Sequence, residues 1–581
     1  MSYVLNDPAD FSAEAIDGFS AAHADLVMQV PGGVVRRAAR HEGEVAIVIG
    51  GGSGHYPAFA GLVGPGLAHG AALGNVFASP SARQVFDVAK AVAGPAGVLL
   101  SYGNYAGDVL NFDQAQRMLL DEGIPCTTVR VTDDVYSADP AERDKRRGIA
   151  GDLAVFKAAA WKSEQGASLV GVADFASHAN DMTRSVGVAF SGCTLPGAHE
   201  PLFTVPAGRM AVGMGIHGEP GIDVVPLLDA RGIATLLTER LLAERPRDAT
   251  GRVAVILNGL GSVKSEELYV LYNTVAERLV DAGVTIVEPE IGEYATSFEM
   301  AGVSLTLFWL DEDLERAWRA PAYTPGYRKR AVPVAADDAG PIVDLVETRD
   351  SVPHASTASR SSAADVCAVL LGIRDAIDRE ADELGRLDAV AGDGDHGIGM
   401  RRGARAAFVA AEEALAAGAG AGTVLARAGD SWADRAGGTS GALWGAGLRV
   451  IGDSIGDEEA PSAVSVAQAV QEGRRAVQEY GKAFVGDKTL VDALVPFAQT
   501  LSDRAGNGES LATAWAAAAD VASRAAAGTA NLVPRVGRAR PHAEKSVGTP
   551  DPGAVSFALA MDAAAAVLST REPKTTRARE K

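Results

Sequence analysis

The sequence predicts an α/β domain made of two α/β subdomains, followed by an all-α helical barrel or bundle. Three observations carry this. Up to about residue 330, short β-branched runs alternate with helical stretches and end in glycine-rich or acidic turns. Residues 331–362 are rich in Pro, Ser, Thr and Asp and show no sustained periodicity. From Ala363 onward the texture is alanine-rich and helical, with no convincing strand. A chain of 581 residues has room for several units at roughly 150 residues each, fewer if α/β domains are large.

In chain order, EVAIVIG (44–50) runs into GGSGH, GVLLSY (97–102) into GNYAGD, and TTVRV (127–131) into TDD. RVAVILN (252–258) runs into GLGS, and VTIVEPE (284–290) is a further candidate. Short apolar runs bounded by such turns read as buried strands. Ligands of α/β sheets collect beyond the carboxyl ends of the strands, where the first two glycine-rich turns lie. Residues 1–330 thus form the first domain, and 331–362 read as a linker. Helices are expected near 363–382, 399–417, 422–434, 441–454, 463–479, 489–502, 510–527 and 553–569, giving an all-α domain over 363–570. The charged tail 571–581 is expected to fray.

Composition removes several function classes. The net charge is −21, with 74 acids against 53 bases, and no basic face suggests nucleic-acid binding. Three cysteines (Cys126, Cys193, Cys367) lie far apart, which argues for a reducing compartment without a disulfide framework or a thiolate zinc site. The N-terminal MSYVLNDPADF has no secretion pattern, and no apolar run reaches about 18 residues. The expectation is a cytoplasmic protein with no membrane segment.

The strongest local signal is LDAVAGDGDHGIGM, which places Asp388, Asp393 and Asp395 in one loop before a helix starting near Gly399. Clustered carboxylates repel one another unless a cation lies between them. The EF-hand ladder is absent, and the formal GxGxxG match has neither a strand before it nor a place for a pyrophosphate beside two acids. Magnesium bridging the carboxylates to nucleotide phosphates reconciles the acids with the glycines; an acidic N-cap loop is the plainer alternative. Further glycine-rich turns at Gly437–Gly441, Gly481–Thr489 and Asp551-Pro552-Gly553 could supply backbone donors, or be ordinary helix–helix turns. No GxxxxGK[ST] occurs, which excludes a P-loop kinase. In the first half, Gly50–His55 follows a strand directly, and His217 lies in the glycine-flanked GIHGEPG, where Glu-Pro-Gly blocks a dinucleotide-type helix. With Asp108 in GNYAGD, these residues suggest a His/Asp pocket of unknown ligand joined to a magnesium–nucleotide domain.

GGGSGH, NYAGD, GIHGEPG, GDGDHG, GGTSG, GDKT, GRA and DPGA occur in this order along nearly the whole chain. Together they resemble the dihydroxyacetone kinase family in its single-chain form. The resemblance implies an ATP- and Mg²⁺-dependent kinase of a short ketose, with His217 bonded covalently to the ketone carbon as a hemiaminal. It implies that His55 and Asp108 hydrogen-bond the substrate, Asp108 taking the proton from the attacking hydroxyl, while Gly52, Ser53 and Gly54 cradle it. Asp388, Asp393 and Asp395 would hold Mg²⁺. Nucleotide contacts would come from His396, Gly397, Ile398, Gly399, Thr439, Ser440, Gly481, Leu490, Arg538, Asp551, Pro552 and Gly553. A homodimer is also implied.

Departures from the family pattern bear on the substrate. Tyr56 and Phe59 replace a usual Glu and His, Gly103 stands where dihydroxyacetone kinases usually carry Lys, and GRARPHAEKS (537–546) replaces an aromatic and Arg. These features are more similar to erythrulose kinases of tetritol breakdown. The expected substrate is therefore erythrulose, D- ahead of L- on overall similarity, with dihydroxyacetone as the alternative. A ketose-sensing regulator and a flavin-nucleotide cyclase side activity are the more remote readings.

Overall fold

The computed structural model describes residues 4–38, 41, 43–216, 219, 221–329, 352–390, 392, 394–536 and 543–571. The chain divides into two compact units, Met1–Pro341 and Ile342–Lys581.

The first unit holds two sheets. After helix α1 (Phe11–Ala22), strands β1 (Val27–Val30), β2 (Gly33–Arg36), β3 (Ala46–Ser53), β4 (Gly70–Val76), β5 (Val98–Gly103) and β6 (Cys126–Val131) form a six-stranded sheet in the order β1-β2-β4-β3-β5-β6. β3 pairs in parallel with β4 and β5, and β5 with β6. Because β4 and β5 flank β3 on opposite sides, the carboxyl ends of β3 and β5 open a crevice of the kind where α/β sheets bind ligands. Side chains alternate across the pleat: Ala46 and Val48 join the core with helices α2 (Ala82–Val92) and α3 (Ala106–Asp121), and Ile47 and Ile49 join the opposite one.

That opposite core contains helices α4 (Asp152–Glu164) and α5 (Leu169–Asp181). The second sheet is built from β7 (Thr183–Ala189), β8 (Arg209–Val212), β9 (Asp223–Pro226), β10 (Arg252–Gly259), β11 (Thr285–Ile286), β12 (Glu290–Gly292) and β13 (Gly302–Trp309). Its order is β11-β10-β13-β7-β8-β9, with β12 also on β10. Ala254 and Ile256 of β10 share the core with α4, so α4 is buried on all sides from Asp152 to Ala160. The alternate β10 residues Val253, Val255 and Leu257 pack on α6 (Ala230–Ala243) and α7 (Ser265–Asp281). The expected strand 284–290 is instead two short pieces, β11 and β12. Glu288, just before Pro289, sits at φ +40° and breaks the extended path. Helix α8 (Glu312–Arg319) and the ribbon β14 (Ala322–Tyr323) with β15 (Arg328–Lys329) complete the unit.

The second unit is helical, with no strand among the described residues. Its helices are α9 (Thr357–Asp388), α10 (His396–Ala416), α11 (Ala421–Ala436), α12 (Gly438–Ile455), α13 (Ala463–Gly481), α14 (Val491–Gly506), α15 (Leu511–Gly528), the short α16 (Ala543–Ser546) and α17 (Pro552–Arg571). Each long helix packs on the next, and α17 returns to α9, which closes a ring around an apolar cavity of about 370 Å³. Trp432 and Trp444 stack at 4.8 Å in its wall.

Two boundaries differ from expectation. α9 begins at Thr357, inside the stretch assigned to the linker, because the Ser356 side chain caps it by accepting from Ser359 N at 3.0 Å. The remainder of that stretch up to Ser351 lies outside the described residues, as does the tail beyond Arg571. α10 begins at His396, three residues before the expected Gly399. α17 is also long and apolar enough by composition to cross a membrane, which the sequence reading did not anticipate. Here its Ala554, Phe557, Ala560 and Ala564 are buried in the ring core.

Arg146 ties the two halves of the first unit. Its side chain is fully buried, donates to both Glu244 oxygens at 2.7 and 2.9 Å, and donates to Ala138 O. Breaking a buried pair strands the remaining charge. Arg146→Ala is therefore expected to destabilise the first unit by about 3–5 kcal/mol, read as a shifted denaturant midpoint.

Candidate active site

The turn after β3 depends on missing side chains. A Cβ at Gly50 would lie 2.4 Å from Ala72 O, and one at Gly51 would lie 2.3 Å from the Phe59 ring. Gly54 adopts φ +98°, which reverses the chain so that His55 enters the interior. His55 is fully buried and stacks on Phe77 at 4.9 Å. Its Nδ1 lies 2.8 Å from Thr296 O; a carbonyl only accepts, so Nδ1 carries a proton.

Asp108 sits in the first turn of α3, buried, where the helix N-terminus favours its carboxylate. The turn before it is pinned by Asn104, whose Nδ2 donates to Asp144 O at 3.1 Å and Arg146 O at 2.8 Å. The neighbouring Tyr105 phenol is buried, which pushes its pKa well above the ordinary value, and the residue packs against the apolar cluster that holds Ile216. Ser297 Oγ donates to Ile216 O at 2.7 Å, while Thr296 N and Phe298 N donate to His55 O and Gly54 O. Segment 296–298 thereby clamps the His55 turn against the residue that precedes His217. Arg147 holds the start of that loop: it pairs with Asp134 at 2.8 Å and donates to Gly213 O at 2.9 Å.

The fold thus brings together Gly52, Ser53, Gly54, His55, Asp108 and the chain leading into His217. His217 itself lies outside the described residues, as do Asp393 and Arg538. Sequence reasoning did not find Tyr105, Arg147 or Ser297. Each acts through a contact with a residue distant in the chain, and no local pattern marks it.

In the second unit, the connections α9–α10, α11–α12, α13–α14 and α15–α17 line one cavity of about 370 Å³. It contains Asp388, Asp395, His396, Ile398, Gly399, Thr439, Ser440, Gly481, Leu490, Asp551, Pro552 and Gly553. Gly397 is not in the lining; it is buried against α9, where a Cβ would meet Ala381 O at 1.8 Å. His396 fastens three connections, with Nε2 2.9 Å from Ser556 Oγ and Nδ1 3.5 Å from Ser440 Oγ. Burial lowers its pKa. Asp388 ends α9 and accepts from His396 N at 3.3 Å. Gly437 and Gly438 occupy left-handed φ values of +63° and +60°, which places backbone at the rim without side chains.

Lys488, which the sequence reading mentioned only within GDKT, also lines this cavity. It donates to Leu532 O at 3.2 Å and Ser546 O at 2.6 Å, holding those segments around the opening. Asp492 shapes the same turn by accepting from Gly486 N and Thr489 N. Among the described residues no three metal-capable side chains converge. The donors present, Asp388 and Asp395 carboxylates, are hard oxygen ligands of the kind magnesium takes.

The sequence matches the Dak1 domain over residues 17–326 and the DAK2 domain over residues 390–566. This chain belongs to the dihydroxyacetone kinase family. It is 56% identical to the L-erythrulose kinase of Pectobacterium atrosepticum, covering 98% of this chain and 97% of that protein. It is 51% identical to the D-erythrulose kinase of Mycolicibacterium smegmatis, covering 96% and 97%. The crystal structure of the dihydroxyacetone kinase from C. freundii in complex with AMP-PNP and Mg²⁺ is 29% identical, with TM-score 0.58, covering 97% of this chain and 99% of that one.

Asp551, on the cavity wall, is half-buried; desolvation there pushes its pKa up to about 7, while its carboxylate accepts from Ala554 N at 2.7 Å. The unfolded carboxyl ionises near its ordinary value of 3.8, so between that pH and about 7 the folded state holds a proton that the unfolded state has lost. Stability from this group falls as pH rises through that window. Asp551→Asn is expected to flatten the fall of Tm across it, measured by thermal unfolding of the full chain.

Proposed function

We propose that this protein is an ATP- and Mg²⁺-dependent kinase that phosphorylates erythrulose held covalently on His217. The carrying observation is the clamp of Thr296–Phe298 between the His55 turn and Ile216, together with the packing of Tyr105, beside Asp108, on the apolar cluster that holds Ile216. Three segments that a ketone would need at once converge there.

In this reading a nitrogen of His217 bonds to the ketone carbon, the carbonyl π bond opens and its oxygen takes the proton. Only a substrate with an electrophilic carbon is trapped, which rejects polyols. Gly52–Gly54 and His55 orient the adduct, and Asp108 accepts the proton of the attacking hydroxyl. Bound Mg²⁺·ATP would supply the phosphoryl group and the charge to stabilise its transfer. Asp388, Asp393 and Asp395 would hold the metal, and the cavity-lining residues with Gly397 and Arg538 would position the nucleotide. The same reading carries a cytoplasmic homodimer.

Erythrulose is favoured over dihydroxyacetone by the absence of a side chain at Gly103 and by relatives named for erythrulose at 51–56% identity. No described residue carries the preference for D- over L-, and the two relatives differ in hand.

Coupled ADP release with ATP and Mg²⁺ is expected to give the highest kcat/KM with one erythrulose enantiomer. Asp108→Asn should lower kcat by about 10²–10⁴-fold, and His217→Ala should abolish turnover of every ketose. A higher kcat/KM for dihydroxyacetone would overturn the substrate; no ADP release with any ketose would overturn the kinase reading.

A further inference from the structure

The chain that carries His217 leaves the second sheet and rejoins it at almost the same place. β8 ends at Val212, whose carbonyl accepts from Ile222 N at 2.9 Å, and Val212 pairs with Asp223 at the start of β9. A Cβ on Gly221 would stand 2.9 Å from Val212 N, so the chain that departs at Gly213 is back against its own start at Gly221. Pairing at the two ends does not by itself fix what lies between them. A group that must attack a substrate carbon has to be held within about 3–3.5 Å and in line, and a displacement of about 1 Å costs roughly 10²-fold in rate.

Arg147 touches both arms of this loop. Its anchor is the fully buried Asp134: Nη2 lies 2.8 Å from Oδ2, and Asp134 N donates to Arg147 O at 3.1 Å. From there Nη2 also donates to Gly213 O at 2.9 Å, on the arm before His217. Nη1 serves the arm after it. A Cβ placed on Gly215 would stand 2.9 Å from Arg147 Nη1 and 2.3 Å from Glu219 Oε2. Guanidinium and carboxylate therefore lie together beside Gly215, and a side chain at that position would displace them. Burial opposes the Arg147 charge, yet Asp134, Tyr105 and Glu219 raise its pKa above the ordinary value.

We propose that Arg147 and Glu219 are a positioning pair that sets the histidine loop for attack on the ketone carbon. This rests on the reading of His217 as the covalent residue. A planar guanidinium presents its donors in a fixed fork, so one side chain can hold a carbonyl and two carboxylates in a single geometry. Asp134 follows β6, and β6 pairs with β5, whose end leads to Asp108. The pair thus refers a loop of the second sheet to the strand ends of the first, where the base that must meet the same ketose is held.

The test adds erythrulose or dihydroxyacetone, ¹³C-labelled at the ketone carbon, to the full chain without nucleotide. In wild type a protein-bound signal is expected in the tetrahedral region, and its absence from His217→Ala separates it from free ketone hydrate. Glu219→Gln removes the charge of a half-buried residue and should weaken adduct formation at least about 10-fold, raising the ketose KM while leaving the KM for ATP unchanged. Arg147→Ala should weaken it further, and Arg147→Lys, which keeps the charge without the fork, should recover part of the loss. Arg147→Ala leaves the buried Asp134 unpaired; if it does not fold, Glu219→Gln decides. If wild type forms no His217-dependent adduct with either ketose, the covalent reading falls and this inference with it. If wild type forms the adduct and Glu219→Gln keeps it within about 2-fold, or loses ATP binding equally, the inference alone falls.

Discussion

The carboxyl ends of β5 and β6 carry acids that the fold buries, and the shape of the candidate ketose site follows from how each is compensated. Asp133 is satisfied by two backbone N–H groups at the start of α4, which fixes that helix against the strand ends. Asp134 recruits Arg147, and the same guanidinium holds Gly213 O at the start of the histidine-bearing loop. Burial raises the Asp134 pKa to about 6 even with this partner, a measure of how far the region is withdrawn from water. A charge balance that looks local thus sets the position of a loop from the second sheet.

The helical unit meets the opposite problem, a place for anionic phosphates in an acidic chain. Successive long helices pack as neighbours around a ring, so alternate connections fall at one end. Four such connections line one cavity, where helix starts and glycine-rich turns present backbone N–H groups. His396 and Lys488 lend rigidity by bonding to other connections, His396 to Ser440 and Ser556, Lys488 to the carbonyls of Leu532 and Ser546.

Much of this was legible in the residues. Long alanine-rich helices with short loops keep their 3.6-residue periodicity whatever they pack against, and the expected helices lie close to those observed. Misreadings arose where local chemistry and periodicity part. TASRSS lacks an apolar stripe yet is helical, because Ser356 caps it and Ala363 and Cys367 beyond it anchor it in the core. VTIVEPE has strand composition yet splits at Glu288. β7 and β13 were not foreseen, although every residue of both is buried.

By itself the sequence determined the two textures, the glycine turns after β3 and β5, the Asp-rich loop and the order of motifs that marks the family. These are local: they depend on glycine's freedom, carboxylate repulsion and residues within a few positions of one another. Only the tertiary structure decided that His55 hydrogen-bonds Thr296, 241 residues away, that Ser297 holds Ile216, and that Arg147 and Glu219 lie together beside Gly215. The physical reason is that burial and hydrogen-bond satisfaction belong to neighbours in space, which two packed sheets choose and no spacing along the chain records.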